Sequence, residues 1–309
     1  MDQLVYIDRL TGSQEVEKVY GADALKLVYG DDWLSRFIGQ PLLHILIRNP
    51  FFSAWYGYWQ RQPSSIKKIE PFIKIFQVDT SEFLNSVDSF QSFNEFFTRK
   101  LKPQSRPIAT GEDVAIIPAD GRYRFYPNIH KADGFAVKGE KFDLATLLGD
   151  RELALRYAEG VMVIARLCPT DYHRYHFPCD CIAGPTRFIN GWLYSVNPIA
   201  IKKDIHIFTQ NKRTVCKLKS DYFGDLLFLE IGATAVGTIH QTYEPNQRYV
   251  KGAEKGFFAF GASSLILLFE PGRIVLDSDL VKASQTQLEI KCLMGQSMGK
   301  GRGATVKCV

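Results

Sequence analysis

Three short stretches hold the residues best suited to chemistry. Asp171-Tyr172-His173-Arg174-Tyr175-His176-Phe177-Pro178 places two histidines three positions apart. Imidazole is the side chain that moves protons near neutral pH. On a helix the pair would share a face, and in an irregular loop it could still converge. Two hydrogen-bonded histidines in a turn are the plainer reading. No carboxylate stands at H-E-x-x-H spacing, so a metal site gains no support there. Ile117-Pro118-Ala119-Asp120-Gly121 reads as a turn after a strand. A carboxylate in such a turn can orient an imidazole, as the acid of a nucleophilic triad does. The third stretch runs from Lys251 to Phe269, with the hydroxyls of Ser263 and Ser264 between apolar runs. Gly261 permits backbone shapes that a side chain forbids, and standing alone the segment reads as a hairpin tip or bulge.

The elements that must position these residues change in character along the chain. Residues 1–90 read as mainly helical. Apolar residues recur at three and four around Asp32–Ile38, and Leu42–Trp59 is apolar and aromatic but broken by Pro50. Flanked by Arg48, Arg61, Lys67 and Lys68, that stretch suits the boundary of an anionic membrane; a helical hairpin packed on the main domain fits it as well. A helix over Phe93–Leu101 follows, with Ser92 as its cap and Pro103 as its stop. Lys102–Pro107 makes a proline-bounded connector. From about residue 114 short β runs dominate: Val114–Ile117, Gly121–Tyr126, Phe135–Lys138, Val161–Leu167, Thr186–Ser195, Thr214–Lys219, Leu226–Ile231, Ala235–Thr242, Phe257–Phe260 and Leu265–Phe269. A helix in two pieces around Gly149-Asp150 interrupts them over Leu144–Glu159. The fold class is therefore α+β, a β-rich domain (91–309) preceded by a helical arm (1–90).

Composition sets the outer bounds. The chain has 309 residues, 46% hydrophobic and 23% charged, enough for one large domain or two modest ones. Mean hydropathy of −0.11 and the lack of an 18-residue apolar run exclude a polytopic membrane protein. The net charge of +5 is mildly basic, and no basic run interleaved with aromatics points to nucleic acid. Six cysteines without a CxxC pair read as reduced structural thiols in a cytosolic chain rather than a zinc site. The start, Met1-Asp2-Gln3, carries no secretory pattern. His130, His206 and His240 read as ordinary residues, and the Gly- and Lys-rich tail Gly295–Val309 as mobile.

Taken in order, the motifs resemble the phosphatidylserine decarboxylase family. The resemblance covers Phe93–Leu101 with Arg106-Pro107-Ile108, Pro118–Gly121, Asp171–Pro178, Asn190-Gly191, Asn211 and Arg213, Glu230–Ala233, Val236–Ile239 and Lys251–Phe269. Each motif alone is weak, and the ordered set is specific. It implies a self-cleaving proenzyme in which Ser263 attacks the preceding carbonyl. The Ala262–Ser263 bond then opens, giving chains 1–262 and 263–309, and the residue at 263 becomes a covalent pyruvoyl group. By the family's motif His176 is the base for Ser263 and Asp120 holds its ring. His173 protonates the carbanion left by decarboxylation, and His176 also helps to place the substrate. The pyruvoyl ketone acts as an electron sink through a Schiff base, so the resemblance implies no metal and no added cofactor.

The implied substrate is phosphatidylserine in a membrane, and the products are phosphatidylethanolamine and carbon dioxide. The implied location is peripheral, on the cytoplasmic face of the cell membrane. Association of the two cleavage chains is expected, and a homodimer is left open. The sequence departs from the family pattern at Ala262, where glycine is common, and at Ser264, where threonine is frequent. Alanine lacks glycine's access to positive φ, so slowed self-cleavage is one expectation. The adjacent serines leave a register question, and the spacing to Leu265–Phe269 favours Ser263. Two alternatives stand beside this reading: a pyruvoyl decarboxylase of a soluble amino acid, and an unprocessed lipid-binding protein.

Overall fold

The computed structural model describes residues 4–21, 27, 55, 57–130, 143–201, 204, 206–233, 239–260, 263–286 and 288–302. Its strands in chain order begin with β1 (Val5–Asp8), β2 (Gln14–Val16), β3 (Val114–Ile116), β4 (Gly121–Tyr126), β5 (Val161–Leu167) and β6 (Arg174–His176). Next come β7 (Cys181–Ala183), β8 (Arg187–Ile189), β9 (Arg213–Ser220), β10 (Gly224–Gly232), β11 (Ile239–Gln241) and β12 (Gln247–Tyr249). The last are β13 (Glu254–Phe258), β14 (Ser263–Phe269), β15 (Ile274–Leu276), β16 (Glu289–Cys292) and β17 (Ser297–Gly301). Among the described residues, an 11-stranded sheet runs β12-β7-β9-β10-β14-β5-β4-β16-β1-β2, with β8 added on β9. Two three-stranded sheets, β11-β13-β6 and β15-β17-β3, flank it.

β14 lies in the middle of the large sheet, antiparallel to β10 and to β5. Its sequence, Ser-Ser-Leu-Ile-Leu-Leu-Phe, is apolar on both faces because both faces are covered. Leu265, Leu267 and Phe269 enter one core, and Ile266 and Leu268 enter the other. The second core is closed by α3 (Leu144–Leu148) and α4 (Arg151–Tyr157), numbered after α1 (Ile69–Phe76) and α2 (Phe93–Phe97). Gly149, at φ +58°, ends α3 in the left-handed conformation, and the Asp150 carboxylate caps α4 through Leu153 N–H. The split at Gly149-Asp150 is the one expected from sequence.

A third core is almost wholly aromatic. Ile69 and Phe72 of α1, Phe83, Phe90, and Phe93, Phe96 and Phe97 of α2 gather around Phe260. Ser92 caps α2 through Glu95 N–H, as expected, but the helix ends at Phe97 rather than Leu101.

The helical reading of the arm does not extend to the chain start. β1 lies parallel to β16, and β2 pairs with β1, so residues 5–16 belong to the large sheet. The tail is also more ordered than expected. β17 bonds to β15 and β3, and Met298 is fully buried. Partners far away in sequence supply that order. Thr186–Ser195 contributes only the short β8, and the Phe257–Phe260 strand shifts to Glu254–Phe258. The expected strand Phe135–Lys138, most of Leu42–Trp59 and residues 303–309 lie outside the described residues.

Candidate active site

β14 begins at Ser263, which pairs with Gly232 on one side and Leu167 on the other. Successive residues of a strand point to opposite faces, and the two serines are treated differently as a result. Ser264 Oγ donates to the Ala165 carbonyl at 2.6 Å. Ser263 Oγ is buried and has no hydrogen-bond partner. A buried hydroxyl left unpaired is uncommon and unfavourable, and such groups concentrate where a reaction needs them.

His173 carries a second unpaired atom. Its Nδ1 lies 3.0 Å from the Asp171 carbonyl oxygen, which can only accept, so Nδ1 holds the proton. Nε2 keeps its lone pair and has no partner. Burial pushes this imidazole down to about 3, against the pull of Asp171, with Arg99 pushing the same way as burial. It is therefore neutral at physiological pH. The Phe97 ring covers it, with centroids 3.8 Å apart.

Chain connectivity ties the two atoms together. Leu167, beside Ser263, leads through a turn closed by Asp171 N–H to Cys168 O and on to His173. Phe258 N–H donates to the His173 carbonyl at 3.0 Å, and the chain from Phe258 leads back to Ser263. The unpaired hydroxyl and the unpaired imidazole nitrogen thus lie on one closed circuit of backbone.

His176 sits on β6, opposite Glu254 of β13. Its Nδ1 donates to the Gly252 carbonyl at 2.9 Å, and its Nε2 lies 3.2 Å from the Tyr172 hydroxyl. Tyr172 therefore donates to Nε2. Burial lowers the pKa of this histidine too. Arg174, between the histidines, is held by Glu254 at 2.8 Å and by the Thr98 carbonyl at 2.9 Å.

Asp120 does not bond to the His176 ring. Its carboxylate accepts from Arg106 Nη2 at 2.6 Å and Nε at 2.9 Å, and from Met294 N–H at 2.8 Å. What links the two residues is backbone, since His176 N–H donates to Pro118 O at 2.8 Å. Asp120 thus pins the turn from which His176 hangs. Gly121 is required beside it, because a Cβ there would lie 2.8 Å from the Arg166 carbonyl. A cavity of about 490 Å³ opens next to this turn, lined by both signs of charge, with Arg99, Arg106, Asp120, Arg122, Asp171 and Tyr172 among its walls.

Among the described residues no group of three or more His, Cys, Asp or Glu is placed to hold a metal. Cys168, Cys179, Cys181, Cys216 and Cys292 are free and buried. Ala262 lies outside the described residues, and Ser263, His173, His176 and Asp120 lie within them. Tyr172, Arg106 and Phe97 meet His176, Asp120 and His173 through contacts, which spacing alone does not reveal.

Ser263 at the start of a buried central strand and two histidines whose burial favours the neutral form are the features that the described residues bring to the site. A family model described as phosphatidylserine decarboxylase matches residues 93–300. The chain is 49% identical to the phosphatidylserine decarboxylase proenzyme of Chlamydia caviae, covering 97% of this chain and 99% of that protein. It is 48% identical to the proenzyme of the same name from Chlamydia felis, over 98% of this chain and 100% of that one. For Chlamydia pneumoniae the identity is 47%, over 98% and 99%. The chain belongs to the phosphatidylserine decarboxylase family.

Proposed function

We infer that this chain is a phosphatidylserine decarboxylase proenzyme, which cleaves itself, forms a pyruvoyl group and converts phosphatidylserine to phosphatidylethanolamine and carbon dioxide. The observation that carries the assignment of the reacting residue is the unpaired, buried Ser263 Oγ beside a Ser264 Oγ already committed to a carbonyl. In self-cleavage Ser263 Oγ attacks the Ala262 carbonyl carbon. The C–N bond breaks as the ester C–O bond forms, and the hydroxyl proton passes to the freed amine. Loss of the Ser263 Cα proton then breaks the Cβ–Oγ bond and releases the chain ending at Ala262. The remaining enamine takes up water and gives off ammonia, leaving a ketone at the head of residues 263–309.

His176 is the base in this reading, with its backbone fixed through the Asp120 turn; its Nε2 lone pair accepts from Tyr172 and takes the serine proton once that hydroxyl turns away. His173 is the group that delivers a proton after decarboxylation: its Nε2 lone pair first takes the proton that the substrate's ammonium gives up as the Schiff base forms, and then hands it to the carbanion. The ketone supplies the covalent electron sink for that step. The chain 263–309 stays bound after the cut because β14 remains between β10 and β5.

The membrane face belongs to the same reading. No helix among the described residues is long and apolar enough to cross a bilayer. Trp55, Tyr58 and Trp59 are exposed at 57%, 60% and 51%, and Ile66 and Ile75 are exposed near them in sequence. Arg61, Lys67, Lys68 and Lys74 are exposed in the same segment. Aromatic tips with basic neighbours suit a peripheral contact with an anionic leaflet, here the cytoplasmic face of the cell membrane.

Intact mass with and without a carbonyl-trapping reagent tests the assignment. The expected result is a trappable chain of residues 263–309. A single chain at 35.1 kDa that still binds phosphatidylserine vesicles would favour an unprocessed lipid-binding protein instead. A processed chain active on free serine or aspartate and silent on vesicles would favour a soluble amino-acid decarboxylase.

A further inference from the structure

We propose that Asn94 is a positioning residue for self-cleavage, holding the upstream side of the scissile segment through the backbone of Phe260. The inference rests on Ser263 being the cleaved serine. Phe260 N–H donates to Asn94 Oδ1 at 3.0 Å. A backbone N–H can only donate, which fixes the amide orientation of Asn94. The Phe260 ring is buried against Phe93 at 5.2 Å and Phe97 at 4.9 Å, both edge-on. Asn94 and both rings come from α2, so one short helix grips Phe260 by its backbone and by its side chain.

Three Cα–Cα links separate Phe260 from Ser263, a reach of at most about 11 Å. The downstream end is fixed in the sheet by Gly232 and Leu167. The upstream end is fixed by Asn94. Attack of Ser263 Oγ on the carbonyl of its own preceding peptide needs that peptide turned to a particular angle. Holding Phe260 and Ser263 in place before the reaction lowers the entropy lost in reaching that angle. Phe97 also covers His173, so α2 sets the segment and one histidine in a common frame.

The test compares full-length wild type, Asn94→Leu and Asn94→Asp. Cleavage is followed after a translation pulse as loss of the intact chain. Decarboxylation on phosphatidylserine vesicles is then measured per trapped pyruvoyl group. Leucine keeps the bulk and loses the acceptor, and cleavage is expected to slow about tenfold, with turnover per pyruvoyl within about twofold of wild type. Aspartate keeps an acceptor oxygen and is expected to cleave near the wild-type rate. Melting in the uncleavable Ser263→Ala background is expected to fall by only about 2–4 °C with Asn94→Leu, the cost of one unpaired N–H.

Wild-type cleavage kinetics in Asn94→Leu would overturn the proposal. So would an equal loss in cleavage and in turnover per pyruvoyl, a large drop in melting temperature, or an aspartate variant as slow as leucine. A wild-type chain not cut at residue 263 would remove the underlying reading as well, and the mass of wild type alone reveals that case.

Discussion

The two sides of the cleavage segment are held in contrasting ways. On the downstream side β14 is bonded along its whole length to β10 and β5 in the middle of the large sheet. On the upstream side Phe260 is held by the Asn94 side chain and by rings from α1 and α2. The sheet side is over-determined, and deleting one contact there leaves the others to keep Ser263 in register. The aromatic side holds Phe260 through side chains rather than through a ladder of backbone bonds. The two ends of the segment are thus held from different cores, one by a strand ladder and the other by side chains.

The largest effect expected is at the serine pair. Ser263→Ala should abolish cleavage and leave the 35.1 kDa chain intact, whereas Ser264→Ala should still cleave, since its hydroxyl serves the Ala165 carbonyl. Gel analysis of the two variants decides the register. An intact Ser264→Ala chain beside a cleaved Ser263→Ala chain would move the reacting residue by one and reverse the contrast between the two hydroxyls.

Next in size is a pH effect centred on His173. Its folded-state value lies near 3, below the ordinary 6.5. Above pH 6.5 the imidazole is neutral in both folded and unfolded chains, and stability is complete. As pH falls from 6.5 towards 3, only the unfolded chain takes up the proton, so stability is lost on acidification. The full window corresponds to as much as about 5 kcal/mol. His176, also lowered by burial, adds loss in the same direction. Urea titrations across this range in the Ser263→Ala background should show a shallower pH slope once His173→Phe is added. An unchanged slope would mean that His173 is not held neutral by burial.

Smaller effects should separate the two sides directly. Leu267→Ala, in the fully buried centre of β14, should cost about 2–5 kcal/mol of stability, and whatever folds should cleave normally. Phe97→Leu should cost about 1 kcal/mol or slightly more, yet lower decarboxylation per pyruvoyl more than its stability loss explains, because the ring over His173 is gone. Denaturant melts paired with per-pyruvoyl rates give the comparison. Equal ratios of lost stability to lost rate in the two variants would erase the distinction between the cores.

The same division explains what the sequence made legible. β4 and β5 have the boundaries expected from their β-rich runs, and the α3–α4 break falls at Gly149-Asp150, because turns and caps are local signals. β1 and β16 lie some 280 residues apart in the chain and pair in parallel, and neither reads as a strand by itself. β17 reads as a mobile tail until β3 and β15 are beside it. At the site, the ordered motifs pointed to Ser263, His173, His176 and Asp120. That Asp120 is held by Arg106 rather than by an imidazole, and that Tyr172 faces His176, are matters of contact and invisible to spacing.

The smallest effect concerns the arm beyond the aromatic core. α1 turns Ile69 and Phe72 inward against Phe93, while Ile75 on the same helix stays 60% exposed. Trp59 is 51% exposed a few residues upstream, with its ring 6.0 Å from that of Trp55. If this surface seats the enzyme on a membrane, Trp59→Ala should weaken binding to vesicles containing phosphatidylserine by about 1 kcal/mol, roughly fivefold. Replacing Lys67 and Lys68 by glutamine should weaken it by about 1 kcal/mol per charge at low salt and by much less at high salt. Neither change touches Phe260 or Asn94, so cleavage should be untouched. Co-sedimentation and the cleavage assay on one set of variants would therefore show whether the segment leading into α1 serves the membrane while α1 itself packs on the reacting segment. A Trp59 variant that binds vesicles as wild type does would remove Trp59 from the membrane contact.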